Sequence, residues 1–286
     1  MSEIWTIARL IRWTTQYFDA KGMDTPRLDA ELLLAHVLHK KRIYLYANYD
    51  EMLNPGELAQ YRELIKKRAG GLCVAVLTGE KDFMGLTFHV DETVLIPRPD
   101  TEAWLEKLIQ RCRGQTKLRV ADLGTGSGAI LLSFLYYCRL AKGTGIDISE
   151  DALRLAEENG RSLALDGRVE WRKGDYLSAV KPDELFDGLI SNPPYIPDGD
   201  IEALSAEVRN EPRLALAGGP DGLDFYRRMA EDGWKHICPG GFCAVEFGAG
   251  QAEDVKHILD GSGRFSDYEI IKDLNGLERA LFCRRI

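Results

Sequence analysis

The segment Ser-Asn-Pro-Pro-Tyr-Ile-Pro at residues 191–197 follows an apolar run, Phe186 to Ile190, that reads as a buried strand. Two consecutive prolines stop that strand at Asn192, since neither can donate to a sheet ladder. A residue before proline is held to extended angles, and each proline fixes its own φ. Asn192 and Pro193 are therefore expected to hold their carbonyls rigidly, as two acceptors facing one point. Two fixed acceptors match the two hydrogens of a planar –NH2 group. The lone pair of such a nitrogen is delocalised and weakly nucleophilic; accepting both hydrogens holds the nitrogen and raises its electron density as it attacks. Tyr195 adds a ring against which a flat group can lie. Asn192, Pro193, Pro194 and Tyr195 thus form a candidate catalytic corner, suited to transfer to nitrogen from an activated donor.

A second constellation precedes it. Val-Ala-Asp-Leu-Gly-Thr-Gly-Ser-Gly-Ala-Ile at 120–130 puts Gly124, Gly126 and Gly128 between a strand and a helix, where the chain turns tightly and a ligand can approach the backbone. The helix start is expected to offer free N–H groups. Asp147 ends the next strand 23 residues after Gly124, a place where an acid holds a ribose hydroxyl pair. Asp175 and Tyr176 close a third strand, where an acid and a ring could border an adenine; Asp175 also reads as a helix N-cap. A loop of this kind, with Ala129 following, fits nicotinamide-binding domains as well.

These residues need a sheet to position them. After Pro99 the chain alternates strand and helix patterns, with strands at 118–123, 143–148, 168–173, 186–191, 241–247, 268–273 and 279–285. The expectation is an α/β, Rossmann-like domain with a mostly parallel seven-stranded sheet over 99–286. Residues 1–72 show helical periodicity, with Pro26 at a helix start, and read as a small bundle. Residues 73–98 read as a β-hairpin linker, since Val74 to Ile96 is rich in β-branched and aromatic residues. The long irregular stretch 197–222 directly follows the proline corner, and long loops in compact domains tend to be functional.

Composition narrows the classes. The 286 residues are 45% hydrophobic and 29% charged, ordinary for a soluble protein. No apolar run reaches the roughly 18 residues of a membrane span, and the first ten residues lack a signal peptide's pattern, so a cytoplasmic location with no membrane is expected. The six cysteines form no C-x-x-C pair and read as reduced core thiols. His36 and His39 lie one helical turn apart without a third ligand nearby, and no metal is expected. The net charge is −8; residues 1–85 carry 12 basic and 11 acidic side chains, leaving 25 against 34 for the rest. That balance argues against a broad phosphate-binding face. Two basic triplets, 40–42 and 66–68, read as solvated helix ends.

Asp-Leu-Gly-Thr-Gly-Ser-Gly, Gly-Ile-Asp-Ile-Ser and Ser-Asn-Pro-Pro-Tyr-Ile resemble the motifs of S-adenosylmethionine-dependent methyltransferases that act on planar nitrogens. With 26–38, Val94 to Glu102, Glu211 to Arg228 and 273–281, the chain resembles the peptide chain release factor glutamine methyltransferases over nearly its full length. It departs from that family at Cys73 to Gly79, which reads CVAVLTG where the family has a segment like PLQYILG. The resemblance implies S-adenosylmethionine as cofactor, lined by Gly124, Thr125, Gly126, Ser127 and Gly128. It further implies that Asp147 holds the ribose, that Tyr176 borders the adenine, and that Asn192 to Tyr195 bind the glutamine, Asn192 also bordering the cofactor. The implied acceptor is the side-chain nitrogen of the glutamine in the Gly-Gly-Gln motif of class I release factors. The helical domain would recognise the factor, and the enzyme is expected to be a monomer without direct nucleic-acid binding. The alternatives are a nucleic-acid exocyclic-amine methyltransferase, a nicotinamide oxidoreductase, which leaves the proline corner unexplained, and a pure S-adenosylmethionine-binding module.

Overall fold

Capping chemistry sets the start of several helices. In the computed structural model, which describes residues 5–115 and 117–286, Thr6 accepts from Arg9 N to open α1 (Ile7–Asp19). Pro26 is the first residue of α2 (Pro26–Val37), where its missing N–H is no loss. After α3 (Arg42–Ala47), Asn54 and Glu57 exchange side-chain and backbone bonds in a capping box ahead of α4 (Pro55–Ala69). These helices share a core in which Phe18, Leu33, Leu34 and Tyr61 are fully buried, with the Tyr61 hydroxyl donating to Ala30 O at 2.9 Å.

Val74–Thr78 forms a short helix, α5, where the sequence suggested β structure. Val74 and Leu77 pack on the helical core, and Gly79, at φ 77°, supplies the left-handed cap that ends the turn. Of the second basic triplet, Arg68 is not a solvated helix end. It is buried, 2.7 Å from Asp29 and 2.9 Å from Glu207. The chain divides into two compact units, one of residues up to Gly79 with Ala206–Asn210, the other of Glu80–Ser205 with Glu211–Ile286.

The second unit contains the hairpin β1 (Glu80–Phe83) and β2 (Leu86–His89), then α6 (Pro99–Cys112). The hairpin is built into this unit, where the sequence suggested a linker. The Asn159 amide donates to His89 O and Ser127 O and accepts from His89 N, tying hairpin and glycine loop together. The expected sheet and its helices follow: β3 (Arg119–Leu123), α7 (Ala129–Tyr137), β4 (Lys142–Asp147), α8 (Glu150–Ser162), β5 (Val169–Lys173), β6 (Phe186–Ser191), α10 (Asp224–Glu231), β7 (Ile237–Glu246), α11 (Ala252–Gly261), β8 (Phe265–Lys272) and β9 (Glu278–Arg285), while the short α9 (Ala206–Arg209) belongs to the first unit. Its strand order is β5-β4-β3-β6-β7-β9-β8, with β9 antiparallel to both neighbours. The chain runs outward from β3 to β5 and returns to β6 beside β3, so the crevice beyond the carboxyl ends of β3 and β6 is the topological switch point where such sheets bind ligands. The Ser191 hydroxyl closes that edge, donating to Leu123 O at 2.5 Å.

Trp171 of β5 lies over Gly128, Gly145 and Gly160. A Cβ at Gly145 would stand 2.3 Å from its ring, and one at Gly128 3.1 Å. Five cysteines are buried and Cys238 is half-buried. Among the described residues no helix is long and apolar enough to cross a membrane.

Candidate functional site

A cavity of about 280 Å³ opens at the switch point, close to the lower end of the roughly 300–1,000 Å³ of small-molecule pockets. Gly124, Thr125, Gly126 and Ser127 line it, with Asp147, Tyr176 and Asn192. Gly128 does not; it holds φ 78° at the start of α7 and lets that helix pack on Trp171 and Ala156.

The loop amides behave differently from expectation. Gly124 and Thr125 donate to Ile146 O at 2.8 and 3.0 Å, Gly128 to Thr125 O at 2.9 Å, and Gly126 to Asp147 Oδ2 at 2.8 Å. These four N–H groups are engaged within the fold, so the loop offers shape more than donors, which suits a ligand without phosphates. Asp147 also accepts from Ser149 N through Oδ1, at 2.9 Å. A carboxylate has about four lone-pair positions, so about two remain for hydroxyl donors. An apolar cavity of this size, with a glycine floor and a carboxylate retaining acceptor capacity, fits S-adenosylmethionine.

Beneath the loop, Asp122 is fully buried and accepts from the Thr125 hydroxyl at 2.7 Å. Burial pushes its carboxyl up to about 7, against that hydrogen bond and with help from Asp147. Tyr176, at φ 51°, packs edge-on against Phe225 at 4.9 Å, and burial raises its phenol above the usual range. Asp175 makes no cap bond; both its oxygens accept from Arg228, at 2.9 and 2.7 Å.

The proline corner splits into two faces. Asn192 and Pro194 line the cavity; Pro193 is buried and Tyr195 half-buried, and neither is a lining residue. Asn192 Oδ1 is buried and meets no donor, an unmet acceptor that costs about 1–3 kcal/mol. The corner is braced from behind. Gln251 accepts from Gly248 N and donates to Tyr195 O at 2.9 Å, while Ile196 pairs with Ala217 as an isolated parallel bridge. Gly222 packs so closely that a Cβ would lie 2.2 Å from Tyr195 O.

Sequence reasoning missed a buried cluster beside Asn192. Glu246, at the end of β7, accepts through Oε2 from the Thr101 hydroxyl at 2.6 Å and from Trp104 Nε1 at 2.7 Å. Burial pushes its carboxyl up to about 6, although both donors favour the charged form. Asn192 Nδ2 in turn donates to Thr101 Oγ1 at 3.4 Å. The available signal was the i, i+3 spacing of Thr101 and Trp104, which puts both on one helix face, together with an acid ending a core strand.

Residues 100–210 match the family described as the methyltransferase small domain. The solved methyltransferase from Pyrococcus furiosus is 18% identical and superposes with a TM-score of 0.51 over 79% of this chain and 98% of that one. The α/β unit is thus a methyltransferase domain of the Rossmann-like class I fold. Residues 9–79 match the PrmC N-terminal domain. The release factor glutamine methyltransferase of Rhodopirellula baltica is 38% identical over 286 residues, covering 98% of this chain and 97% of the relative. That of Moorella thermoacetica is 41% identical over 266 residues, covering 93% and 94%. This chain belongs to the release factor glutamine methyltransferase family.

Proposed function

We propose that this protein transfers a methyl group from S-adenosylmethionine to the side-chain amide nitrogen of the glutamine in the Gly-Gly-Gln motif of class I peptide chain release factors. The observation that carries this reading is that Asn192, whose side-chain carbonyl is buried and meets no donor, lines one cavity with the glycine loop and Asp147, in a chain of this family. S-adenosylmethionine, when bound, supplies an electrophilic methyl on its sulfonium sulfur. Gly124 to Ser127 form the floor against which it lies, Gly128 holds the loop from behind, Asp147 accepts from the ribose hydroxyls, and Tyr176 borders the adenine.

Asn192 Oδ1 accepts one hydrogen of the glutamine amide, and the carbonyl of Pro193 is assigned the other. Holding both hydrogens directs the nitrogen lone pair and stabilises the charge that develops on nitrogen as it attacks. Pro194 walls the cavity, and Tyr195 anchors the corner through its carbonyl. The corner itself supplies no base; the amide proton leaves to solvent after transfer. On this reading the helical unit recognises the body of the factor, and the enzyme works as a cytoplasmic monomer without direct nucleic-acid contact. The 25 basic against 34 acidic residues beyond position 85 fit that last point.

The test is incubation of the enzyme with labelled S-adenosylmethionine, a purified class I release factor and ribosomal RNA, followed by mass spectrometry of the Gly-Gly-Gln peptide. One methyl on the glutamine is expected, and none after its replacement by glutamate, which lacks the –NH2, or by asparagine, which is too short. A methyl on another residue, or label in the RNA alone, overturns the reading.

A further inference from the structure

Asn192 can present either end of its amide to the substrate, and only one end works. A glutamine –NH2 needs the carbonyl; the amide nitrogen of Asn192 would instead meet it with hydrogens. Carbonyl oxygen and amide nitrogen are nearly isosteric, so shape does not choose between the two orientations, and the surrounding hydrogen bonds must.

The chain of bonds behind Asn192 has a definite polarity. Glu246 Oε2 sits 2.6 Å from Thr101 Oγ1 and 2.7 Å from Trp104 Nε1. Trp104 Nε1 can only donate, so Oε2 accepts from it. A hydroxyl has one hydrogen, and beside a carboxylate oxygen the Thr101 hydrogen lies on the Glu246 bond, the shortest of the chain. Thr101 then has only lone pairs left for Asn192, and the group that faces it at 3.4 Å is the Asn192 –NH2. The reversed amide would set two oxygens against each other with no hydrogen between them. The other end of the side chain, Oδ1, is the atom left buried without a donor.

The relay is held firmly. Thr101 and Trp104 share a face of α6, Trp104 and Glu246 are buried, and the Tyr226 hydroxyl donates to Glu246 O at 2.7 Å. None of the three relay side chains other than Asn192 needs to touch the substrate to act.

We infer that Thr101 and Glu246 are positioning residues that set the amide orientation of Asn192, so that the site presents an acceptor to its substrate and selects a glutamine amide over a glutamate carboxylate. This rests on the glutamine-methylating function proposed above. A site built to hydrogen-bond one group rejects an analogue with the opposite polarity strongly, and that rejection depends on the orientation being fixed.

The experiment compares wild type with Thr101→Val, which keeps the shape and removes the hydroxyl, and with Thr101→Ser, which keeps the hydroxyl. Three quantities are measured: single-turnover methylation of the release factor, the Kd for S-adenosylhomocysteine, and inhibition by the factor carrying glutamate in place of the glutamine. For Thr101→Val the expected results are a methylation rate about 10-fold or more below wild type, a cofactor Kd within about twofold, and a glutamine-to-glutamate preference reduced about 10-fold or more. Thr101→Ser is expected to restore both rate and preference. The preference separates orientation from general damage, since a merely loosened site would weaken both forms of the factor alike. If Thr101→Val fails to fold, Thr101→Ala is measured in its place. Wild-type rate and preference without the hydroxyl, or equal loss in the valine and serine variants, overturns the inference while the function stands. Absence of methylation by the wild-type enzyme overturns the function, and the inference with it.

Discussion

The proposed function gives Asp147 a second job beside the one it has in the fold, and replacing it should separate the two. Its oxygens hold Gly126 N at 2.8 Å and Ser149 N at 2.9 Å, and the remaining lone pairs are assigned to two ribose hydroxyls. Bonds to a charged acceptor are worth about 1.5–3 kcal/mol each, and the low end applies to a carboxylate that is only half-buried. Two ribose bonds then contribute about 3 kcal/mol, and at about 1.4 kcal/mol per tenfold Asp147→Ala raises the cofactor Kd about 100-fold. The same change strips Gly126 and Ser149 of their acceptor, so the folded state should also lose about 1–3 kcal/mol. Asp147→Asn keeps one carbonyl oxygen and should fall between, near 10-fold in Kd, at about one bond lost. Calorimetry with S-adenosylhomocysteine, which cannot react, reads affinity; urea unfolding reads stability. An alanine variant that unfolds cooperatively yet binds within about threefold of wild type would remove Asp147 from the ribose and leave it a purely structural clasp.

Gly222→Ala should separate substrate from cofactor: the new Cβ would stand 2.2 Å from Tyr195 O at a φ of 78°, where the backbone alone costs about 1–2 kcal/mol. Single-turnover methylation should fall about 10-fold or more while calorimetry shows S-adenosylhomocysteine affinity within about twofold; an unchanged rate would show that the corner's backbone need not be held. The pH dependence of stability should carry the buried carboxyls. Glu246 titrates near 6 when folded against 4.5 ordinarily, so between those values the folded state binds the proton first and stability from this group rises as pH falls. Glu246→Gln removes that titration, so its stability relative to wild type should decline by up to about 2 kcal/mol from pH 7 to pH 4.5 in denaturant titrations; a constant difference would place the Glu246 carboxyl in the ordinary range.

The parts legible in the sequence were those written in local pattern. The strand periods, the acid ending β4 and the two prolines after β6 placed the seven strands, the switch point and Asn192, because each signal lies within a few residues of its consequence. Val74–Thr78 was misread because β-branched residues favour strands only until tertiary packing decides; here the helical core and the Gly79 cap decide for a single turn of helix. The loop amides were misjudged because their acceptors, Ile146 and Asp147, come from the neighbouring strand. The Glu246 cluster joins residues about 145 positions apart, and no periodicity connects a helix start near residue 100 with a strand end near 246.

Trp171 has a consequence for how this fold can vary over time. One indole ring stands 2.3 Å from where a Cβ at Gly145 would lie and 3.1 Å from one at Gly128, whereas at Gly160 a Cβ would meet it at an ordinary 3.5 Å. A side chain at Gly145 is therefore barred while the ring stays, and a smaller residue at 171 opens a void under the glycine loop that a single methyl cannot refill. Change at this spot must come in pairs, with the ring shrinking as a neighbour grows. Lineages that keep the tryptophan keep Gly145 with it, the two bound by volume rather than by any shared chemistry.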